Sequence, residues 1–284
     1  MLNKYLLIAD SGATKTDWRI IDQNQEIQQA VSEGLNPYFV DDQTIQTVLK
    51  RDIQPLLISG EVNKVFFYGS GCETEKQAQK LKNVFSAVFQ NAEIYIFGDL
   101  LAAARATCST GNGIACISGT GSGACLLEDG NITEKHLGNG IWLGDEGSAG
   151  HIGKLLITDY LHQKLPSKLH QQFEKRFADR REIILQKVYR EKFPNRYLAS
   201  FSQFVYHHRK EAHCYQLIYN SYAAFFEIAV LPLSKAQNQL VHFVGKTAFY
   251  YSDILRRAAN DKGISVGNIL EKPIAGLTLF HLEN

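Results

Sequence analysis

"LLIADSGATKTDW", Leu6 to Trp18, runs an apolar stretch into a turn made of glycine, hydroxyl residues and lysine. Its composition suggests a phosphate-binding P-loop. That pattern, G-x-x-x-x-G-K-[ST] ending at Lys15-Thr16, needs glycine at positions 9 and 14, where the chain has Ala9 and Thr14. The stretch is therefore no P-loop. It reads instead as a β-hairpin, with one strand at Tyr5–Ala9, the acid Asp10 at its exit, and a second strand at Trp18–Ile21. Such a turn is either plain hairpin structure or an anion cradle. In a cradle, Gly12 admits the anion to the backbone while Thr14, Thr16 and nearby N–H groups donate to it. Lys15 then either neutralises charge or faces solvent.

Outward from the hairpin, the polar "DQNQ" at Asp22–Gln25 turns the chain into a third strand, Glu26–Val31. Patterning next predicts a helix over 42–58, a strand over 64–68, a helix over 74–90, a strand over 93–97 and a helix over 100–107. The order is βββαβαβα. After Gly111 the meander restarts as "GIACISGTGSGACLLEDGNITE". A shift of 107 positions lays Ser11 on Ser118, Gly12 on Gly119, Ile20 on Leu127, Asp22 on Asp129 and Asn24 on Asn131. Turns and flanking strands align in one frame, which predicts two related domains, residues 1–107 and 108–284, meeting across a cleft. The second would hold an inserted helical layer from Ser148 to Leu233, a buried strand "VHFVG" at Val241–Gly245, and a helix from Thr247 to about Lys262 that stops at Gly263. Pro273 marks the start of a last short helix ending near His281.

With 284 residues, 45% of them hydrophobic, the chain can build two real cores. A net charge of +1 gives no electrostatic reason to expect nucleic acid or an anionic membrane, so small-molecule chemistry is favoured. The five cysteines are odd in number and lack C-x-x-C spacing, which argues against a disulfide framework or zinc knuckle and fits a reducing cytoplasm. Asp10 interrupts the first apolar run too early for a signal peptide, and no stretch is long and apolar enough to span a membrane. His207, His208, His213 and Cys214 lack regular ligand spacing and read as helical surface. The basic "FEKRFADRREIILQKVYREKF" has interleaved acids and reads as amphipathic helix, not a nucleic-acid patch.

Six segments occur in a telling order: "DSGATKTDW", "GLNPY", "FGDLLAAARA", "ISGTGSG", "GIWLGDEGSAG" and "FVGKTAFYYSDIL". Together they resemble the acetate and sugar kinase/Hsc70/actin superfamily. Within it, the sequence is most similar to the N-acetylglucosamine kinase branch of the benzoyl-CoA reductase ATPase and hydroxyacyl-CoA dehydratase activator family. The resemblance implies an α/β fold of two ribonuclease H-like, actin-like ATPase domains, βββαβαβα duplicated, with a helical insertion in the second. It implies an ATP-dependent kinase acting on the 6-hydroxyl of N-acetylglucosamine, with ATP and Mg²⁺ as cofactors. The partner would be a small amino sugar, and a homodimer is the assembly to test for.

The same resemblance implies roles for named residues. Asp10 would orient hydrated Mg²⁺, with Gly12, Thr14, Lys15 and Thr16 under the phosphates, and Gly119, Thr120 and Gly121 would form the second phosphate turn. Ser122, Asn36 and Asp145 would serve the sugar. Gly245 would lie by the adenosine, although Lys246 stands where related chains often carry a small polar residue. Asp99 would be the catalytic base; equally, an Asp between strand and helix is a favoured N-cap. Trp142 could pack on a sugar face or simply in the core. Two rivals remain at this point, a kinase for N-acetylmuramic acid or another hexosamine, and an activator ATPase of an iron–sulfur enzyme. The activator would need suitably placed cysteines, whereas Cys108, Cys116 and Cys125 read as small buried hydrophobes.

Overall fold

Leu7, Ile8 and Ala9 are all fully buried, which marks β1 (Asn3–Ser11) as a central strand covered on both faces. The computed structural model describes residues 3–12, 14–58 and 60–283. Contacts divide the chain into two units, Met1–Ser109 with Pro273–Asn284, and Thr110–Lys272.

In the first unit, β1, β2 (Lys15–Ile21) and β3 (Ile27–Glu33) form the expected antiparallel meander. There follow α1 (Asp42–Val48), β4 (Gly60–Gly69), α2 (Glu75–Val88), β5 (Glu93–Gly98) and α3 (Asp99–Cys108). The sheet order is β3-β2-β1-β4-β5, with β1, β4 and β5 parallel. The helix expected over 42–58 is α-helical only to Val48. It widens into a π turn at Leu49–Ile53 and tightens to 3₁₀ at Gln54–Leu56. Pro55 explains this, since it has no N–H to donate and its ring crowds the carbonyl one turn back. One sheet face buries Trp18 and Phe67 in a core with Ile45 of α1 and Leu81 and Phe85 of α2.

The second unit repeats the strand order. Its meander is β6 (Gly113–Ser118), β7 (Ser122–Glu128) and β8 (Asn131–Leu137), with Asp129 and Gly130 both at positive φ in the two-residue turn before β8. A helical run follows: α4 (Gly140–Leu143), α5 (Ala149–Leu161), α6 (Ser167–Arg176), α7 (Arg181–Tyr189), α8 (Pro194–Ser200), α9 (Ser202–His207) and α10 (Ala212–Phe225). Then come β9 (Val241–Val244), α11 (Lys246–Tyr250), α12 (Ser252–Asp261) and β10 (Val266–Leu270). The sheet order β10-β9-β6-β7-β8 matches that of the first unit, counted in chain order.

Further features depart from the sequence reading. β10 was not anticipated, because "VGNIL" is short and carries Gly267 and Asn268. Gly267 is needed there, since a Cβ would lie 2.6 Å from the His242 ring. Another is the last helix, α13 (Ile274–Glu283), which packs on α3. It adds Ile274 and Leu277 to a cluster with Ile8, Ile21, Tyr68 and Ala102, so it belongs to the first unit and not to a continuous 108–284 domain. The chain also breaks between α6 and α7, so the basic stretch is two helices whose Phe173, Ile184 and Val188 are buried.

Candidate active site

In the first unit, register brings Ser11, Gly69 and Gly98 side by side at the carboxyl ends of β1, β4 and β5. This is the edge where open α/β sheets bind ligands. Asp10 stands there, partly exposed, followed by the hairpin turn in which Gly12 N–H donates to Lys15 O at 3.0 Å. Among the described residues a Cβ on Gly12 would meet nothing closer than that carbonyl, at 3.8 Å, which leaves room there for an approaching group. Thr14 is exposed beside it. Lys15 Nζ lies 3.3 Å from Asp17 on the same strand face, so its charge is shared with that carboxylate. Thr16 corrects the sequence reading. It is fully buried, donating to Glu33 O at 2.9 Å and bonding Ser11 Oγ at 2.8 Å, so it braces the hairpin and offers no hydroxyl at the turn.

Ser11 Oγ also accepts from Leu35 N–H at 3.0 Å, which fixes the entry of "GLNPY". Asn36 is consequently buried. Its Oδ1 accepts from Tyr38 N–H at 3.0 Å, and its amide lies against Gly71, where φ is +85° and a Cβ would stand 2.9 Å from Oδ1. Next to this turn lies Asp99. The N-cap of α3 is Gly98, with no side-chain cap bond, and Asp99 is the first helical residue. Its Oδ2 accepts from Ser70 Oγ at 2.7 Å. Asn36 and Asp99 are thus both joined to the turn that follows β4.

In the second unit, Gly119, Thr120 and Gly121 form the turn between β6 and β7, one residue tighter than the first turn (Ser118 pairs Ser122, whereas Ser11 pairs Thr16). It is tied to its surroundings from two sides. Ala149 and Gly150 N–H at the start of α5 donate to Gly119 O and Thr120 O at 2.9 and 3.2 Å. Thr247 Oγ1 at the start of α11 donates to Gly119 O at 2.9 Å. Gly245 holds φ +129° and ψ 151°, and a Cβ there would stand 2.2 Å from Ser118 O. Lys246 is exposed.

Asp145 sits in a cradle of small residues. A Cβ on Gly138 would lie 2.2 Å from its Oδ1, and one on Gly121 would lie 3.2 Å away. Ser122 N–H points at the same oxygen from 3.4 Å. Burial, followed by the charge of Glu146, outweighs the backbone donors and pushes the Asp145 carboxyl up to about 6. Trp142 is not core: it is 48% exposed and stacks on Tyr189 with ring centroids 5.6 Å apart.

Ser70, Gly71, Gly138 and Thr247 escaped the sequence reading. Nothing in their local pattern distinguishes them, because each matters through a neighbour distant in sequence. A cavity of about 540 Å³ lined by Lys4, Lys64, Phe66, Tyr95, Arg105 and His281 lies toward the opposite ends of the strands from Asp10 and Asp99. Cys72, Cys116, Cys125 and Cys214 are buried, and burial pushes the Cys72 and Cys214 thiols up to about 12. His213 pairs with Asp159 at 3.1 Å and Cys214 lies in the core. Among the described residues no histidine, cysteine and carboxylate cluster is arranged for a metal, and no helix is long and apolar enough to cross a membrane.

No protein-family model matches the chain, and no curated protein sequence matches it. Solved structures do. A presumed N-acetylglucosamine kinase from Porphyromonas gingivalis is 35% identical, covers 98% of this chain and 99% of its own, and superposes with a TM-score of 0.92. A second such protein, from Chromobacterium violaceum, is 16% identical over 97% of this chain and 98% of its own, with a TM-score of 0.74. A ROK family glucokinase from Streptomyces griseus, solved with glucose and AMPPNP, is 11% identical over 97% of each chain with a TM-score of 0.56, a likeness of fold. By its identity to the Porphyromonas protein along nearly its whole length, the chain belongs to the N-acetylglucosamine kinase-like family of sugar kinases, built on the actin-like ATPase fold.

Proposed function

We propose that the protein transfers the γ-phosphoryl group of ATP to the 6-hydroxyl of N-acetylglucosamine. The observation that carries this reading is the Asp99 carboxylate. It leaves helix capping to Gly98 and is held instead by Ser70 at the carboxyl edge of the sheet. A fixed carboxylate there can accept the proton of a sugar hydroxyl as that oxygen attacks phosphorus. The O6–Pγ bond forms, the bond from Pγ to the β,γ-bridging oxygen breaks, ADP departs, and the hydroxyl proton rests on Asp99. The resemblance makes Asn36 a proposed hydroxyl partner, and Asp145, with Ser122 beside it, another.

The turn at Gly12 leaves room for a phosphate beside the exposed Thr14, and the turn at Gly119–Gly121 is fixed by the bonds that its carbonyls accept from α5 and α11, as small-residue phosphate turns require. Asp10 provides one oxygen ligand, which fits Mg²⁺ as it is usually held: by phosphates and water with one or two carboxylates. When bound with the nucleotide, that ion would supply charge neutralisation at the phosphates. The family likeness supports the amino-sugar reading, and the burial of Cys72, Cys116, Cys125 and Cys214, which leaves only Cys108 partly exposed where the sequence reading had it buried, favours it over an iron–sulfur activator, whose cluster needs several accessible cysteines. The proposed setting is the cytoplasm, with no nucleic-acid or membrane partner.

A coupled ADP-release screen over N-acetylglucosamine, N-acetylmuramic acid, N-acetylmannosamine, glucosamine and glucose tests the substrate. The highest kcat/KM should fall on N-acetylglucosamine, and ADP release independent of sugar would refute the kinase reading. Asp99→Asn should stay folded, bind both substrates and turn over about 10²- to 10⁴-fold more slowly. Near-normal turnover would remove Asp99 as the base.

A further inference from the structure

The face of the first sheet that carries α3 and α13 is not filled along its whole length. Register sets Lys64 beside Leu6, Phe66 beside Ile8 and Tyr95, and Tyr68 beside Phe97, all on that face. Toward the amino ends of β1 and β4 it opens into the cavity of about 540 Å³, a size usual for small-molecule sites, and every residue lining it belongs to the first unit. Three rings in a row form one wall. His281 stacks on Phe66 with centroids 3.8 Å apart, and Phe66 on Tyr95 at 4.9 Å. Tyr95 ends the row, 38% exposed, with its hydroxyl donating to Glu93 at 2.8 Å. Arg105 of α3, half-buried, stands over two further rings, its guanidinium 4.5 Å from the Phe97 centroid and 4.9 Å from that of Phe280. One of its N–H groups donates to Tyr68 Oη at 2.7 Å, and Tyr68 Oη is bonded in turn to His281 Nε2 at 2.8 Å. The other donors of the guanidinium have no acceptor among the described residues, and neither Arg105 nor Lys4 has a carboxylate partner there. Lys64 pairs with Glu93 at 3.8 Å. Asp22, the acid in the lining, is bonded to its own turn, accepting from Asn24 and Glu26 N–H at 2.8 and 2.9 Å.

A half-buried guanidinium with idle donors is costly until an anion meets it, and its planar fork matches the oxygens of a phosphate. Lys4 adds a second unpaired positive charge to the lining. The row of rings suits a different kind of group, a flat body that can stack. We propose that this cavity is a second ligand site, apart from the kinase centre, and that it takes a nucleoside monophosphate, with the phosphate on Arg105 and Lys4 and the base on the wall of Tyr95 and Phe66. A phosphate monoester brings up to two negative charges to two unpaired cations, and a nucleobase brings the π face. Lys4 precedes Asp10 by six residues on β1, about 20 Å at about 3.3 Å per residue, so a ligand at this end of the sheet does not reach that carboxylate. The inference stands whether or not the chain is a kinase. No local motif announces the site, because its cations come from β1, β4 and α3 and its rings from β4, β5 and α13.

Calorimetric titration of UMP into the full chain, in the presence of saturating AMPPNP and N-acetylglucosamine, tests the site. UMP should still bind under those conditions. Ribose 5-phosphate, which keeps a phosphate and loses the base, and uridine, which keeps the base and loses the phosphate, should each bind about tenfold or more weakly than UMP. Tyr95→Ala and Arg105→Gln should each lower UMP affinity about tenfold or more, and Lys4→Gln by a smaller factor. Lys4→Gln changes an exposed side chain, so it reports on binding even if Arg105→Gln does not fold. Sugar-dependent ADP release measured without UMP should be unchanged in Lys4→Gln and Tyr95→Ala. No UMP binding at millimolar concentration, or equal affinity in wild type, Lys4→Gln and Tyr95→Ala, would overturn the proposal. Competition between UMP and AMPPNP would assign the UMP to the nucleotide site and overturn it equally, and ribose 5-phosphate binding as tightly as UMP would remove the base from the wall. Failure of the kinase reading would show instead as ADP release independent of sugar, which leaves the comparison of UMP affinities among the variants intact.

Discussion

Asp145 combines a left-handed backbone, φ 61°, with 7% exposure and a carboxyl pushed up to about 6, chiefly by burial. Strain and desolvation at one polar residue are costs the fold accepts where a site needs a fixed acceptor. The sign of the pH effect follows from the raised value. The folded state keeps the proton to higher pH than the unfolded chain, so this group's stabilisation is full below about 4 and is lost as pH rises through about 6. From 3.8 to about 6 the difference is on the order of 3 kcal/mol. Asp145→Asn should abolish that component. Urea unfolding of both proteins from pH 4 to 7 should show the wild type losing stability relative to the variant by about that amount. Parallel curves would mean that Asp145 titrates as an ordinary carboxylate. At this scale Asp10, Asn36, Asp99 and Asp145 were picked out by short motifs taken together with the family resemblance, and their roles stand as proposals. Thr16 was misread and Ser70 missed for one reason, that a side chain's orientation in a hairpin or its neighbour across a sheet is not written in its own segment.

At the scale of elements, β10 and α11 show how a glycine can set a turn. β9 ends at Val244, and Gly245 N–H donates to Leu270 O at 2.9 Å, so the backbone must turn sharply beneath the β6–β7 turn. Its φ and ψ lie in a region essentially restricted to glycine. Gly245→Ala would add backbone strain of about 1–3 kcal/mol and drive a methyl into Ser118 O. The expected result is a folded but weakened protein whose AMPPNP affinity drops while sugar affinity changes less. Thr247→Val should give a smaller loss, about 1 kcal/mol, by removing the bond to Gly119 O. Calorimetry with each ligand separates these outcomes, and unchanged AMPPNP binding in both variants would free the turn from any nucleotide role. Strands with strong apolar runs were legible from patterning, as was the repeat of the Gly-rich turn. β10 was not, since its Gly and Asn answer to His242 on the adjoining strand and dilute the apolar signal.

Across the whole molecule, the chain crosses between its units twice, and sequence alone gives no sign of the second crossing. α13 follows β10 directly, yet it packs on α3, where a Cβ on Gly276 would meet Ala106 O at 2.4 Å. Ile274 and Leu277 are 3% and 0% exposed against Ile8, Ile21 and Tyr68. Burying two such side chains stabilises by about 3–6 kcal/mol, a large share of what holds a domain folded. His281 closes the contact, stacking on Phe66 at 3.8 Å and bonding Tyr68 Oη at 2.8 Å. Burial, aided by Arg105, depresses its imidazole to about 4. A depressed histidine contributes stability that is present above about 6.5 and lost as pH falls toward 4. Ending the chain after Lys272 should therefore loosen β1, β4 and α3 and leave β6, β9 and α10 protected. Acid between those pH values should weaken the same first-unit segments in the full chain. Hydrogen exchange read by mass spectrometry distinguishes the segments. If β1 and α3 keep their full-length protection in the shortened chain, α13 is an appendage and the first unit is complete without it.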